Sequence, residues 1–167
     1  MKPTKGKMAK TERTVRIDYG FKAGWYDVGN QHCYFRSGLE YRWAKYLEWL
    51  KGLGEIVSWL YEPRKFEFKK IRSGTVFYTP DFLVLYGAPN EPNHCWHELK
   101  GHLKQKDVTK LRRMAKYYPD EKLILVMQNI PKTITKRNIE KTRRLENAKK
   151  YVERVMEAEK ILKEVGL

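Results

Sequence analysis

The chain has 167 residues, enough for one domain with an additional element or two. Hydrophobic residues make up 41% of it and aromatic residues 13%, so the chain can bury a substantial core. A membrane-spanning helix needs about 20 consecutive apolar residues, and no apolar run in the sequence approaches that length. Because the basic N-terminus lacks an apolar segment, we expect no secretory signal. Two cysteines predict no disulfide framework and favour a reducing compartment, the cytoplasm.

The charge of the chain is strongly unbalanced. Its 35 Lys and Arg residues outnumber 20 Asp and Glu residues, which gives a formal net charge of +15 at pH 7. A domain this basic is typical of proteins that bind a polyanion. Nucleic acid is the first such partner to consider, and an anionic membrane surface is the second. A Lys-rich surface that serves only solubility is the remaining interpretation.

The N-terminal third of the chain predicts an arm, a strand region and a helix. Residues 1–12 are polar and Lys-rich and predict a flexible basic arm. Residues 13–35 mix β-branched and aromatic residues with glycine, which indicates one or two short strands. Ser37 and Glu40 match the capping box of a helix N-terminus, so we predict a helix over 37–52.

The middle of the chain predicts a run of strands. Apolar and aromatic residues favour strands at 56–61, 65–70, 75–86 and 94–100. The sequence GAPNEPN separates the last two strands and is typical of a loop. Pro80 lies within 75–86 and lacks a backbone donor, which indicates a sheet edge or a bend there.

The remaining elements complete the predicted fold. Residues 107–118 predict a basic helix capped by Asp107, and 122–128 predict a short apolar strand. Apolar residues recur at helical spacing over 137–165 and predict one long helix. This order predicts an α/β fold, a central mixed β-sheet flanked by helices with an extra long C-terminal helix. We divide the chain into a basic flexible arm, a core domain and a C-terminal helical extension: 1–12, 13–130 and 131–167.

Charged residues interrupt two otherwise apolar strands. Asp81 lies in VFYTPDFLVLY, and Glu98 and Lys100 lie in CWHELKG. Because side chains alternate along a strand, Glu98 and Lys100 point to the same face. If the two strands pair, the carboxylates of Asp81 and Glu98 converge, and Glu40 on the preceding helix can complete the cluster. Charges inside apolar strands need a stabilising partner.

Converging carboxylates beside a lysine suit the hydrolysis of a phosphodiester. That reaction needs a water deprotonated near neutral pH, neutralised charge on the phosphate and a stabilised leaving oxygen. Carboxylates hold hard divalent ions, and a neighbouring lysine orients the water or stabilises negative charge in the transition state. The pattern therefore predicts Mg²⁺, or Mn²⁺, as the cofactor.

The segments YFRSGLEYRWAKYLEWL, WLYEP, YTPDFLV and HELKG resemble the PD-(D/E)xK nuclease superfamily. The resemblance covers about residues 33–128. Within that superfamily the segments look like those of small phage-encoded endonucleases. They are also similar to the nuclease domains of transposon end-cleaving enzymes and, more distantly, to phage Holliday-junction resolvases. The resemblance implies a restriction-endonuclease-like core over 13–130 and, for a phage-encoded protein, the host cell cytoplasm. The implied metal ligands are Glu40, Asp81, Glu98 and the Leu99 carbonyl, and the implied catalytic residues are Glu40, Asp81, Glu98 and Lys100.

Basic side chains surround this motif and predict contacts with the DNA backbone. The predicted DNA-binding residues are Arg36, Arg42, Lys104, Lys106, Lys110, Arg112, Arg113 and Lys116. A solvated basic helix face is the alternative for the last six. Trp25, in a Gly-rich region, is the best placed of the tryptophans to contact substrate by stacking.

Several alternatives stay open at this point. Asp81, Glu98 and Lys100 can form a buried salt-bridge network, and Glu40 can act only in the capping box. The preferred function is a metal-dependent DNA endonuclease that acts on branched DNA as a Holliday-junction resolvase. A homodimer would suit that substrate, because symmetric cleavage of two strands needs two active sites. The alternatives are an endonuclease on duplex or flap DNA, cleavage of RNA, and a non-catalytic DNA-binding protein with a nuclease fold.

Overall fold

A computed structural model of the chain describes residues 20–87 and 93–167. The predicted arm at 1–12 lies outside the described residues, as does the start of the predicted strand region. In chain order the described elements are β1 (Gly24–Val28), β2 (Gln31–Phe35), α1 (Gly38–Gly52), β3 (Ser58–Tyr61), β4 (Phe66–Glu67), β5 (Phe77–Tyr78), β6 (Phe82–Tyr86), β7 (Asn93–Lys100), α2 (Gln105–Tyr117), β8 (Leu123–Met127), α3 (Ile139–Lys149), β9 (Arg154–Glu157) and α4 (Ala158–Glu164).

Five strands form a central mixed sheet in the order β3-β6-β7-β8-β9. The pairs β3–β6 and β6–β7 are antiparallel, whereas β7–β8 and β8–β9 are parallel. Strands β7 and β8 lie inside the sheet and are almost entirely buried, which explains the continuous apolar sequence of β8. Two small antiparallel ribbons, β1–β2 and β4–β5, lie beside this sheet. The predicted α/β fold with a mixed central sheet is confirmed.

Helices cover both faces of the sheet, and each face has its own core. On one face, α1 and α4 pack their apolar side chains against the sheet, and Trp43 and Leu162 are fully buried there. On the other face, α2 and α3 pack around Trp96, Leu111 and Leu145. The result is a three-layer arrangement in which burial of apolar surface on both sides stabilises the sheet.

Helix α1 begins where its sequence predicts. The Ser37 hydroxyl accepts a hydrogen bond of 3.2 Å from the backbone amide of Glu40. That bond satisfies one of the donors that a helix N-terminus leaves without an intrahelical partner. The Glu40 carboxylate bonds instead to the backbone amide of Arg36, at 2.9 Å, which fixes the chain as it enters the helix.

The single long helix predicted over 137–165 is wrong. The segment forms α3, then a turn at residues 150–153, then the edge strand β9 and the short helix α4. Strand β9 pairs in parallel with β8, and Ile124 lies opposite Arg154. This pairing satisfies backbone groups of β8, a strand buried on both faces, and tertiary pairing thereby outweighs local helical propensity.

Two predicted strands are shorter in the structure. The predicted strand at 65–70 is reduced to β4, and the predicted strand at 75–86 is divided into β5 and β6. The division falls at Pro80, where the missing backbone donor prevents continuous pairing. No helix within residues 20–87 and 93–167 is both long enough and apolar enough to cross a membrane.

Candidate active site

Asp81 and Glu98 lie side by side on one face of the central sheet. Phe82 pairs with His97 in the antiparallel register of β6 and β7, so Asp81, the residue before Phe82, stands opposite Glu98. Asp81 is 5% exposed and Glu98 is 3% exposed. The expected convergence of the two carboxylates is therefore observed, in a setting largely removed from water.

Backbone and side-chain hydrogen bonds hold both carboxylates in place. The backbone amide of Leu99 donates to Asp81 Oδ2 at 2.7 Å. The hydroxyl of Tyr78 donates to Glu98 Oε2 at 2.9 Å. The backbone amide of Glu62 donates to the carbonyl of Asp81 at 2.8 Å, so the end of β3 is tied to the start of β6. These bonds leave Asp81 Oδ1 and Glu98 Oε1 directed at cationic partners.

Lys100 is the cation closest to Glu98. Its Nζ lies 2.5 Å from Glu98 Oε1 and donates to the Leu99 carbonyl at 3.0 Å. Burial lowers the pKa of Lys100, but the carboxylates of Glu98 and Asp81 outweigh burial and raise it. The ammonium group therefore stays charged and contacts two of the oxygen atoms proposed as metal ligands.

The two carboxylates repel each other when both are ionised. Burial raises the pKa of Asp81 well above its ordinary value, and the neighbouring Glu98 raises it further. Lys100 and the hydrogen bond from the Leu99 amide act in the opposite direction. Two carboxylates in this position are costly unless positive charge lies nearby. The site therefore favours positive charge, which Lys100 supplies in this structure.

Glu40 lies at the edge of this cluster. Its Oε2 accepts hydrogen bonds from the hydroxyl of Tyr61, at 2.8 Å, and from the backbone amide of Arg36, at 2.9 Å. Its charge contributes to the raised pKa of Asp81, as the last of the causes. Among the described residues, no three His, Cys, Asp or Glu side chains form a group that could hold a metal ion. A direct metal bond from Glu40 thus stays a prediction.

Arg36 joins the site from the end of β2. Its Nη2 forms an ion pair with Glu62 and lies 3.8 Å from Asp81 Oδ1. Glu62 has a positive φ of 46°, a backbone conformation that is uncommon for residues other than glycine. This backbone places the Glu62 carboxylate against the guanidinium of Arg36. The geometry adds a neutralising role beside Asp81 to the DNA contact predicted for Arg36.

The predicted DNA-binding residues on α2 lie beside the site. Lys104, Lys106 and Arg112 are exposed, and the helix starts a few residues after Lys100. Inside this helix, Asp107 is buried and accepts a hydrogen bond of 2.8 Å from the backbone amide of Lys104. The helix begins at Gln105 rather than at the predicted residue 107, so Asp107 is not the N-cap residue and instead bonds back to the N-cap from the third helical position. The Asp107 charge also raises the pKa of Lys100.

Besides Arg36, three other predicted DNA-binding residues contact residues that are distant in the sequence. The guanidinium of Arg113 donates to the carbonyl of Thr75. Lys110 Nζ lies 5.8 Å from the centre of the Tyr78 ring. Arg42 forms a two-point ion pair with Glu159 of α4, with its shortest distance 2.8 Å. Arg42 therefore connects α1 to α4.

Tyr78 belongs to the site but is missing from the sequence-based predictions. It lies in the two-residue strand β5 and is fully enclosed by α2 and the central sheet. Burial, and then the charges of Glu98 and Asp81, raise the pKa of Tyr78 well above its ordinary value. The hydroxyl accordingly stays protonated and acts as a donor. The only signal in the sequence is a tyrosine three residues before Asp81.

His97 faces away from this site, as its alternation with Glu98 predicts. Trp43 Nε1 donates to His97 Nδ1 at 3.2 Å on the opposite face of the sheet. Burial lowers the pKa of His97 to about 3, with a further contribution from Arg154. The imidazole is therefore neutral and serves as a core hydrogen-bond acceptor.

The donor set of the site fits a hard divalent cation. Asp81 and Glu98 supply two buried carboxylates, and the Leu99 carbonyl oxygen lies beside them. Mg²⁺ is commonly bound by one or two carboxylates and keeps several waters, so it does not require a third acidic side chain. The contacts of Lys100 with Glu98 and Leu99 show that a positive charge is stable at this place.

Comparison of the chain with protein-family models, with curated proteins and with solved structures finds no match in any of the three.

Proposed function

We propose that the chain is a metal-dependent DNA endonuclease of the PD-(D/E)xK type, with a restriction-endonuclease-like core. One observation carries the proposal. Two buried carboxylates, Asp81 and Glu98, lie together on one sheet face, and the ammonium of Lys100 contacts Glu98 and the Leu99 carbonyl. Carboxylates that can bind a metal and an adjacent ammonium are groups that suit the hydrolysis of a phosphodiester.

Each residue has a defined part in this proposal. Asp81, Glu98 and the Leu99 carbonyl would hold Mg²⁺ or Mn²⁺, and Glu40 would contribute from α1. A divalent cation bound there supplies Lewis acidity and a more acidic water. Lys100 orients the attacking water or stabilises negative charge on the phosphate. Tyr78 keeps Glu98 in position through its hydroxyl.

Charge supports DNA as the substrate. The net charge of +15 attracts a polyanion, and exposed basic residues of α2 lie next to the end of β7. We infer that Lys104, Lys106 and Arg112 bind phosphates near the scissile bond. Such contacts position the backbone and carry no base preference of their own.

Branched DNA is our preferred substrate, in a phage-type resolvase that acts as a homodimer in the cytoplasm. Symmetric cleavage of two strands requires two active sites, which a two-fold dimer would supply. The buried cysteines Cys33 and Cys95 are both free, which suits a reducing compartment. Endonuclease action on duplex or flap DNA is the alternative within the same chemistry.

A non-catalytic DNA-binding protein is the rival from another class. In that case Asp81, Glu98 and Lys100 would form a structural ion-pair network. Such a network is weak support for stability, because apolar side chains of similar volume often stabilise a core at least as well. The raised pKa of Asp81 favours a functional role, since it reflects two carboxylates held close together away from water.

Gel-resolved cleavage of labelled DNA tests the proposal. A four-way junction, a flap, a plain duplex, single-stranded DNA and RNA are each incubated with Mg²⁺, with Mn²⁺ and with EDTA. Paired symmetric cuts in the junction, abolished by EDTA, are the expected result. Cuts only in the flap or the duplex would support the nuclease proposal and contradict the resolvase proposal. DNA binding without cleavage under either metal would support the proposal of a non-catalytic DNA-binding protein.

A further inference from the structure

The ribbon β1–β2 exposes aromatic rings beside the candidate active site. Trp25 and Tyr34 form a cross-strand pair, with ring centres 5.6 Å apart and planes at 75°. Trp25 is 63% exposed and Tyr34 is 43% exposed. The opposite side of the same ribbon is buried against α1, through residues such as Phe35. The exposed rings therefore contribute nothing to the core. Exposure of apolar ring surface to water is unfavourable, so this exposure requires another explanation.

The orientation of Trp25 is fixed by its neighbours. Its ring lies parallel to that of His32, with centres 5.0 Å apart and an interplanar angle of 6°. His32 Nδ1 is in turn 2.6 Å from Asp27 Oδ1, across the ribbon from β2 to β1. One indole face is thus covered by His32, and the exposed indole is held as a preorganised surface.

A cavity open to solvent lies between this aromatic surface and the ion pair of Arg36 and Glu62 at the edge of the active site. Its volume is about 300 Å³, and Trp25, Tyr34, Arg36 and Glu62 are among the residues that line it. Pockets for small molecules start at about this volume, which is enough for one planar ring system. Its polar end is the ion pair of Arg36 and Glu62, whose guanidinium lies 3.8 Å from Asp81 Oδ1.

The chemistry of the cavity matches a nucleobase. Aromatic rings stack on the face of any base, which is how single-stranded nucleic acid is bound without base preference. Arg36 supplies hydrogen-bond donors and Glu62 supplies acceptors at the far wall, where the edge of a base needs both. The guanidinium also provides positive charge for the phosphate attached to that base.

We propose that this cavity binds one unpaired nucleobase of the DNA substrate, next to the phosphodiester that is cut. The inference rests on the proposed nuclease function and narrows its substrate to DNA with an unstacked base, as at a branch, a flap or a bulge. Trp25 and Tyr34 stack on the base, and Arg36 and Glu62 contact its edge. Base-paired DNA keeps its bases stacked and does not fill the cavity.

Equilibrium binding by the full chain tests this proposal without cleavage, in EDTA. Three probes share one sequence: a duplex with one unpaired 2-aminopurine nucleotide, the same duplex with an abasic site at that position, and the fully paired duplex. The 2-aminopurine probe should bind at least about fivefold more tightly than the abasic probe. Its fluorescence should fall on binding, because the base stacks on Trp25.

Matched variants assign the preference to the cavity. Trp25→Ala should abolish both the preference and the decrease in fluorescence, whereas Trp25→Phe should retain part of each. Trp49→Ala is the control, because Trp49 is another exposed tryptophan, on α1 and outside the cavity. Unchanged melting temperatures are expected in all three variants, since neither indole is buried.

Each result decides the proposal. Equal affinity for the 2-aminopurine and abasic probes, or a preference that persists in Trp25→Ala, would overturn it. A dimer that dissociates in Trp25→Ala, without any base preference, would overturn it in favour of contact between two copies. If the chain prefers the unpaired base but cleaves no DNA in Mg²⁺, the base-binding proposal would be supported and only the nuclease proposal would be refuted. If the chain cleaves DNA but shows no preference for the unpaired base, only the base-binding proposal would be refuted.

Discussion

Asp81 accepts a hydrogen bond of 2.7 Å from the backbone amide of Leu99, so the carboxylate that precedes β6 is fixed to the C-terminal end of the neighbouring strand β7. Leu99 follows Glu98, and the bond therefore sets the distance between the two acidic side chains. Neither carboxylate can move away from the other without breaking a buried hydrogen bond. The hydrogen bonds of the sheet therefore keep the two carboxylates close enough to repel each other, and a cation nearby reduces that repulsion.

Divalent metal should stabilise the folded protein through this pair. With Mg²⁺ at about 100 times its Kd, the free energy of unfolding should rise by about 2.7 kcal/mol. Asp81→Asn should show little of this rise, because it removes one of the two carboxylates. Asp27→Asn, at an exposed aspartate of β1, should keep it. Melting temperatures with and without Mg²⁺ check the difference, and an equal rise in both variants would place the metal elsewhere.

Tyr78→Phe should weaken both the fold and the activity. The variant removes the hydroxyl that donates to Glu98 Oε2, and a buried acceptor is left without that partner. We expect unfolding free energy to fall by about 1–2 kcal/mol. Because Tyr78 positions a proposed metal ligand, cleavage should fall by about 10- to 100-fold. Tyr26→Phe is the control, since the Tyr26 hydroxyl donates to an exposed carbonyl. Full activity of Tyr78→Phe would remove Tyr78 from the site.

The stability of the protein should depend on pH through His97. Its pKa is about 3 in the folded protein, against an ordinary value of 6.5. The unfolded chain therefore binds a proton at a higher pH than the folded one. The contribution is fully present above pH 6.5 and is lost as pH falls toward 3, by up to about 1.4 kcal/mol per pH unit.

Urea unfolding between pH 7.5 and pH 5 measures this dependence. Protonation would place a second donor against Trp43 Nε1, which already donates to His97 Nδ1. His97→Gln cannot titrate and still accepts that hydrogen bond, so its stability should vary less over the same range. Parallel pH profiles for the two proteins would show that His97 does not account for the dependence.

Two lysines of the α2 region should contribute to DNA affinity by charge alone. The double variant of Lys104→Gln and Lys106→Gln should weaken binding to all DNA sequences similarly. The slope of log K against log salt should decrease by about 1 for each phosphate that the variant no longer neutralises. Lys160→Gln is the control, because it removes a charge at an exposed position of α4 and leaves the surface around Lys104 and Lys106 unchanged. An unchanged slope in the double variant would place the DNA on another face.

The sequence predicts the site better than it predicts the C-terminal part of the fold. Strand alternation alone places Glu98 and Lys100 on one face, because a period of two leaves no other choice. The capping pattern of Ser37 and Glu40 likewise locates the start of α1. These features depend on local backbone geometry, which can be inferred from a single sequence.

Features that depend on distant partners are not predicted in this way. The apolar pattern after residue 137 is compatible with a helix, and only the open edge of β8 selects the strand β9. Tyr78 has no periodic signal, because its strand has two residues and its burial comes from α2. The pairing of Arg36 with Glu62 and Asp81 depends on how β2 and β3 approach the sheet.

The most direct test of the nuclease proposal is the single-turnover cleavage rate of a labelled four-way junction in Mg²⁺, for the native chain, Asp81→Asn and the control Asp120→Asn, at an exposed aspartate after α2. We predict that the native chain and Asp120→Asn cut at similar rates. Asp81→Asn should bind the junction normally and cut it at least about 100-fold more slowly, a larger effect than removal of a group that only supports a metal ligand. A rate for Asp81→Asn equal to that of the native chain would contradict the assignment of this site.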